Sequence, residues 1–313
     1  MFNSLLADAS RTGDPFRCEH WFRRMIWSKC APDVVSFTCV ISSFARAGDP
    51  DRAERWLKRM QLRGIEPNVT AFNAILDACA KRGRLRPAEW WFKYMEDSNL
   101  QPDRVSFCSM LNACAKARNT ARSQVWFDKM LKFRITADII AYNAFISACA
   151  GEGRIAKAEE LLQHAVADKL SPDLVTHNSL LHAWSRSGDR KDFAKANQYL
   201  ARADELGLDV ISFNCVLHAC ARLSQAAEAE RVLRSFSTFR LVPTRVSYNV
   251  VIGAKCQAGD IATAMSWIDA MAQQQIAPDI LSFSPLVSEL SRTGDSQAMR
   301  SLFTRMRRAG IAP

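Results

Sequence analysis

Trp21, Trp56, Trp91 and Trp126 stand 35 residues apart, and Met25, Met60, Met95 and Met130 keep the same interval four residues further on. Pro32, Pro67 and Pro102 repeat in register with them, as do Gly13, Gly48 and Gly83, so turns and core residues share one period. A fixed period of about 20 to 50 residues marks supersecondary units that cannot bury their apolar faces alone and stack to close a continuous core. Function in such a chain belongs to a repeating surface.

The stretch Val34 to Asn68 serves as one unit. Phe37, Val40, Ile41 and Phe44 recur at the spacing of one apolar helical face, which predicts a first helix ending before Gly48. Ala53, Trp56, Leu57 and Met60 repeat that spacing, which predicts a second helix stopped by Gly64 to Pro67. The expected fold is all-α, an α-solenoid formed as a right-handed superhelix of stacked antiparallel helix-turn-helix repeats of about 35 residues each. Nine units are expected over 1–313, at 1–33, 34–68, 69–103, 104–138, 139–173, 174–209, 210–244, 245–279 and 280–313, the first and last incomplete. The unit from Leu174 is irregular: it has 36 residues, lacks the proline before its last Asp and carries charges at its turn. Arg118 and Ser224 replace the turn glycine in two others.

Charged residues interrupt every apolar stretch well before the roughly 18 residues that a membrane span needs, so no membrane partner is expected. Lys and Arg number 42 against 32 Asp and Glu, a formal charge of +10, which favours a polyanionic partner. Cys79, Cys114, Cys149 and Cys220 follow the repeat and no C-x-x-C pair occurs, so packing rather than zinc or disulfides accounts for them. No metal or other cofactor is expected.

Three polar series exceed what the fold requires. Near the start of each first helix stands Asn3, Thr38, Asn73, Cys108, Asn143, Asn178, Asn214, Asn249 or Ser284. Asn, Ser and Thr compete for backbone hydrogen bonds inside helices, so their repetition there needs a reason. First-turn capping is one. The position also lies about 100° around the helix from the apolar stripe, facing a groove. Each unit closes on Asp33, Asn68, Asp103, Asp138, Asp173, Asp209, Thr244 or Asp279, for which ordinary turn and N-cap chemistry suffices. The third series, Arg11, Arg46, Lys81, Lys116, Arg186, Arg222 and Arg292, precedes the turn by two residues, where a cation suits the helix dipole or a strand of phosphates; Gly151 and Gln257 break it.

Units such as Val69 to Asp103, VTAFNAILDACAKRGRLRPAEWWFKYMEDSNLQPD, closely resemble the pentatricopeptide repeat family in period, turn glycine, second-helix Met, terminal Pro-Asp and first-helix Asn. Tetratricopeptide repeats, the nearest confusable class, usually keep a 34-residue period and a different signature. The resemblance implies sequence-specific binding of single-stranded RNA, one base per unit, read by the first-helix polar residue with the unit's last residue. It implies uracil for Asn3 with Asp33, Asn73 with Asp103, Asn143 with Asp173, Asn178 with Asp209 and Asn249 with Asp279. It implies adenine for Thr38 with Asn68, a pyrimidine for Asn214 with Thr244 and a purine for Ser284. Cys108 with Asp138 has no assignment, so the expected target is U-A-U-n-U-U-y-U-r. Val35, Thr70, Val105, Ile140, Val175, Ile211, Val246 and Leu281 would wedge between successive bases; their alternative is helix-start packing. The basic series would hold phosphates.

Family members act in organellar RNA processing, stabilisation, editing or translation, so a chloroplast or mitochondrial location and a processing or editing protein acting in trans follow by resemblance. No Arg-rich presequence is visible, and Met1 and Pro313 both fall inside a unit, as in a fragment. The H-x-E and C-x-x-C signatures of an appended deaminase do not occur, so no enzyme activity and no small-molecule substrate are expected. The competing reading is a helical scaffold that holds a protein partner in its groove.

Overall fold

Asp33 illustrates why the first helices begin where they do. Its backbone is extended, its Oδ1 accepts the Ser36 N–H at 2.8 Å, and Ser36 Oγ accepts the Asp33 N–H at 2.9 Å. Two N–H groups that a helix start leaves unpaired thereby gain partners. The same reciprocal box opens the helices at Arg104, Leu174, Val210 and Ile280. The other ends close through left-handed residues such as Gly13, Gly48 and Gly83, with φ of 70°, 69° and 64°.

The computed structural model describes residues Met1 to Ile311; Ala312 and Pro313, the end of the ninth expected unit, lie outside the described residues. Among the described residues there are nineteen helices and no strand, divided between two compact units. The first, Met1–Ser171, holds α1 (Phe2–Thr12), α2 (Pro15–Trp27), α3 (Val34–Arg46), α4 (Pro50–Leu62), α5 (Val69–Lys81), α6 (Leu85–Asp97), α7 (Arg104–Lys116), α8 (Thr120–Lys132), α9 (Ile139–Glu152) and α10 (Ile155–Ala167). The second, from Pro172, holds α11 (Leu174–Ser187), α12 (Arg190–Leu200), α13 (Ala203–Leu206), α14 (Val210–Arg222), α15 (Ala226–Thr238), α16 (Arg245–Gln257), α17 (Ile261–Gln273), α18 (Ile280–Thr293) and α19 (Ser296–Arg308).

In the first unit α1, α3, α5, α7 and α9 pack side by side in chain order, while α2, α4, α6 and α8 each lean on the helix before and the helix after. In the second, α11, α14, α16 and α18 form the same row, backed by α12, α15 and α17. Each unit is therefore an α-solenoid of helical hairpins, with a first-helix row and a second-helix row. The two rows differ in burial. α4 buries the stripe Ala53, Trp56, Leu57 and Met60, whereas α9 buries nine residues including Ala144, Ala148 and Ala150, because helices press on it from several sides. Small Ala, Ser and Cys residues permit that close approach. Cys79, Cys114, Cys149 and Cys220 are wholly buried, and burial pushes the first, second and fourth thiols up to about 12 and that of Cys149 up to about 11.

Trp56, Trp91 and Trp126 lie in the core, whereas Trp21 is only half-buried. Their indoles carry a polar ladder that periodicity does not reveal: Nε1 donates to Glu19, Glu54 and Glu89 on the preceding second helix at 3.2, 2.8 and 3.3 Å. Burying an indole without such an acceptor would cost free energy, so the Glu series belongs to the fold.

The irregular stretch after Ser187 splits its second helix. α12 ends at Leu200, the four-residue α13 follows, and Gly207 turns the chain at φ 60°, as the left-handed Gly64, Asn99 and Arg134 do in other repeats, with no proline after it. The two exceptional turns keep the left-handed geometry without glycine, with φ of 51° at Arg118 and 54° at Ser224. A Cβ added to Gly83 would meet Lys116 Cβ at 3.3 Å, so a turn residue faces the basic position of the next repeat. At Arg118 the arrangement is exchanged: a Cβ on Gly151 would come within 3.0 Å of Arg118 Cγ. The break in the basic series at Gly151 thus accompanies the bulky turn before it. Gln257, the other break, likewise follows the other non-glycine turn, Ser224.

Candidate nucleic-acid interface

The polar residue of a first helix does not cap its own helix; that task falls to the residue closing the previous repeat. Asp33, Asn68, Asp103, Asp138, Asp173, Asp209 and Asp279 accept the N–H three residues on at 2.8 to 3.0 Å. Ordinary N-cap chemistry therefore holds for the closing series. The same carboxylates also reach back to the preceding polar residue. Asn3 Nδ2 donates to Asp33 Oδ2 at 2.9 Å, and Asn73, Asn178 and Asn249 donate to Asp103, Asp209 and Asp279 at 2.9, 3.4 and 3.1 Å. Cys108 Sγ points to Asp138 Oδ1 at 3.8 Å. The two series, 30 or 31 residues apart in sequence, thus meet where one first helix packs on the next.

Thr38 behaves differently: its hydroxyl donates to its own helix at Val34 O, 2.7 Å, rather than to Asn68. Asn143 is buried in α9, and Asp173 caps α11 in the other compact unit. Asn214 Oδ1 accepts Ser247 Oγ at 2.7 Å, and Thr244 Oγ1 lies 3.2 Å from that same serine. Ser284 is exposed in α18. The amides are recessed: Asn73 and Asn143 keep only 8% and 7% of their surface exposed. Burial opposes charge on Asp33 and Asp279, yet bonds from Ser36 and Asn3, and from Asn249 and Ser282, outweigh it and hold both carboxyls below the ordinary carboxylate range.

Beside the recessed amides each compact unit carries an apolar row. Val35, Val105, Ile140, Val175, Ile211, Val246 and Leu281 are 50% to 68% exposed, and Thr70 is exposed as well. Helix-start packing does not explain them, since they pack little. Aliphatic side chains repeating at one helical position while left in water present a surface for flat apolar partners.

All seven members of the basic series are exposed. Several act on the neighbouring helix end rather than their own. Arg46 donates to Ser10 O at 2.7 Å, Lys81 to Ala45 O at 3.3 Å, and Arg222 to Ser185 O and Arg186 O at 3.3 and 3.1 Å. These carbonyls close the preceding first helix and carry the negative end of its dipole. Arg11 pairs with Asp8, Lys81 also with Asp77 at 2.7 Å, and Arg292 with Glu289. Lys116 lies against Gly83, and Arg186 sits in the last turn of α11.

Sequence reasoning missed one set of residues at this surface. Ser106, Ser212, Ser247 and Ser282, each third in a first helix and wholly buried, donate to the amide oxygens of Asn73, Asn178, Asn214 and Asn249. Their signal was present, a hydroxyl at a fixed place in the period, but a capping role accounts for it in isolation. Among the described residues no three His, Cys, Asp or Glu side chains are grouped to hold a metal, and no helix is long and apolar enough to cross a membrane.

Profiles described as "PPR repeat family" match residues 32–81, 67–116 and 137–186. Others match 210–311 ("Pentatricopeptide repeat-containing protein"), 92–152 ("Pentatricopeptide repeat domain") and 1–30 ("PPR repeat"). No curated protein sequence matches the chain. Among solved structures, the pentatricopeptide repeat protein PPR10 in complex with an 18-nt psaJ RNA element superposes at a TM-score of 0.82 and 23% identity, over 100% of this chain and 45% of that one. PPR10 from maize gives 0.65 at 20% identity, over 94% and 46%. Yeast Rmd9p in complex with its 16-nt target RNA gives 0.51 at 10% identity, over 94% and 70%. The chain spans less than half the length of PPR10, and at these identities the likeness is one of fold.

Proposed function

The chain belongs to the pentatricopeptide repeat family, and from that premise we propose that it binds single-stranded RNA along the first-helix row, one base per repeat. The observation that carries this reading is the exposed aliphatic series beside recessed polar residues, Val35, Val105 and Ile140 in the first compact unit and Val175, Ile211, Val246 and Leu281 in the second, because seven repeats offer an apolar wedge and a polar edge at one spacing. A base has a flat face for the first and hydrogen-bonding atoms for the second. PPR10 and Rmd9p, which share the fold, were each solved with RNA.

In this proposal the nine repeats read U-A-U-n-U-U-y-U-r in the pairings given above. Asn amides offer a donor and an acceptor to uracil, and the Asp carboxylates orient them. Arg11, Arg46, Lys81, Lys116, Arg186, Arg222 and Arg292 attract phosphates; bonds to neighbouring carbonyls leave the charge of Arg46 and Arg222 in place, whereas Arg11, Lys81 and Arg292 exchange a carboxylate partner for a phosphate. The chain acts as a binder rather than a catalyst, covering or remodelling an organellar transcript in the chloroplast or mitochondrion and presenting it to a processing or editing protein in trans.

Crosslinking tests the ligand class. Ultraviolet crosslinking of the purified chain to an RNA carrying this nine-base target is expected to join RNA to peptides of the first helices. Crosslinks confined to second-helix peptides, or equal retention of an RNA lacking the target, would remove the reading, and the absence of any crosslink would favour a protein-binding scaffold.

A further inference from the structure

The chain carries an internal correlation between the base-reading residue of one repeat and the third residue of the next first helix. Asn3, Asn73, Asn143, Asn178, Asn214 and Asn249 are followed there by Ser36, Ser106, Thr176, Ser212, Ser247 and Ser282, all hydroxyl residues. Thr38 and Cys108, which have no amide, are followed by Ala71 and Ala141. Helix capping alone does not predict this, since Asn68 and Asp138 accept their N3 N–H from Ala71 and Ala141 without any hydroxyl.

Geometry supplies the reason. Ser106, Ser212, Ser247 and Ser282 Oγ lie 2.6, 2.5, 2.7 and 2.6 Å from the Oδ1 of Asn73, Asn178, Asn214 and Asn249. An amide oxygen only accepts, so the hydroxyl hydrogen points at it. In three of the four, Nδ2 on the opposite side donates to Asp103, Asp209 or Asp279. Rotating the amide by half a turn would set its oxygen against the carboxylate and make the serine hydroxyl, which also lies 3.0 or 3.1 Å from that carboxylate, accept instead of donate. The carboxylate therefore sets the orientation, and the serine donor on the amide oxygen reinforces it. At Asn214 the closing residue is Thr244, and the Ser247 hydroxyl holds the amide oxygen without a carboxylate opposite.

An amide that turns over exchanges its donor for its acceptor. Uracil presents an N–H between two carbonyl oxygens, whereas cytosine presents a ring-nitrogen acceptor beside an amino donor, so the two pyrimidines call for opposite orders. Resting on the base-reading assignment above, we propose that these buried serines are positioning residues for specificity, holding each Asn amide in the orientation that separates uracil from cytosine.

The test measures equilibrium binding of the target RNA with U or C opposite the third repeat, using the wild-type chain, Ser106→Ala and Ser106→Thr. Ser106→Ala is expected to narrow the preference for U over C by about three- to tenfold, the worth of one buried hydrogen bond. Ser106→Thr retains the hydroxyl and the preference, and discrimination opposite Asn249 is unchanged in both Ser106 variants. Ser282→Ala, read opposite Asn249, is expected to narrow the preference there to a similar extent and serves as the second measurement should Ser106→Ala fold poorly. Ser36 is the control: its Oγ bonds Asp33 at 2.6 Å while Asn3 Oδ1 is buried without a partner, so Ser36→Ala loses a cap yet keeps the preference at its own base. Equal loss of affinity for U and C in Ser106→Ala and Ser282→Ala, each read at its own repeat, with wild-type discrimination intact, would overturn the proposal and leave base reading standing. A wild-type chain indifferent to the base opposite Asn73 would overturn both.

Discussion

Trp91→Ala is expected to lower the stability of the first compact unit by about 3 to 5 kcal/mol, measured by urea or thermal denaturation. The side chain is 3% exposed, its ring lies 6.2 Å from Phe72, 5.8 Å from Tyr94 and 4.6 Å from Trp90, and its Nε1 donates to Glu54. Truncation opens a cavity and strips a polar atom of its partner. The loss spreads, because each repeat is stabilised by those on either side. Trp91→Phe retains most of the apolar volume but not the Glu54 bond, so it should cost less. Trp21, half-buried at the same place in the period, provides the comparison: Trp21→Ala should cost clearly less than Trp91→Ala. Equal losses at the two sites would contradict the burial argument.

A single uracil-to-guanine change opposite Asn73 is expected to weaken RNA binding by about 1 to 3 kcal/mol, roughly 5- to 150-fold. Asn73 is held by Ser106 at 2.6 Å and Asp103 at 2.9 Å and is almost covered, so it cannot swing outward to meet a different edge. Guanine, like uracil, sets an N–H beside a carbonyl oxygen, so the loss is expected from its second ring, which displaces those atoms from an amide that is held in place and almost covered. The same change opposite Cys108, which has no amide, should cost less. Titration of both RNAs against one protein preparation reads the difference directly, and equal affinity for U and G opposite Asn73 would refute base reading by that repeat.

The helix positions were legible because caps, turn glycines and apolar stripes are local signals: Asp33 and Gly48 bracket α3 by chemistry within a few residues of each end. The meeting of Asn73 with Asp103 was inferred from family resemblance and has a direct geometric basis in the packing of α5 on α7. What stayed illegible depends on how repeats face one another. Arg46 and Arg222 lie in the last turns of their own helices as a helix-dipole argument expects, but their bonds to Ser10 O and Ser185 O join residues 36 and 37 positions apart, which no argument confined to one helix can show. The Glu54–Trp91 pair and the exchange between Arg118 and Gly151 escaped notice for the same reason. The third-residue serines were visible as a periodic feature, yet only the distance from Ser106 to Asn73 separates an amide clamp from an ordinary helix cap.

Selection of bound RNA from a random single-stranded pool tests the central claim most directly, since it fixes ligand class and sequence together. The account predicts enrichment of a motif matching U-A-U-n-U-U-y-U-r, with uracil strongest where Asn faces Asp and least constraint opposite Cys108. Recovery of no RNA above background, or of RNAs whose preferred bases do not follow the order of Asn3, Thr38, Asn73, Cys108 and the residues after them, would contradict it.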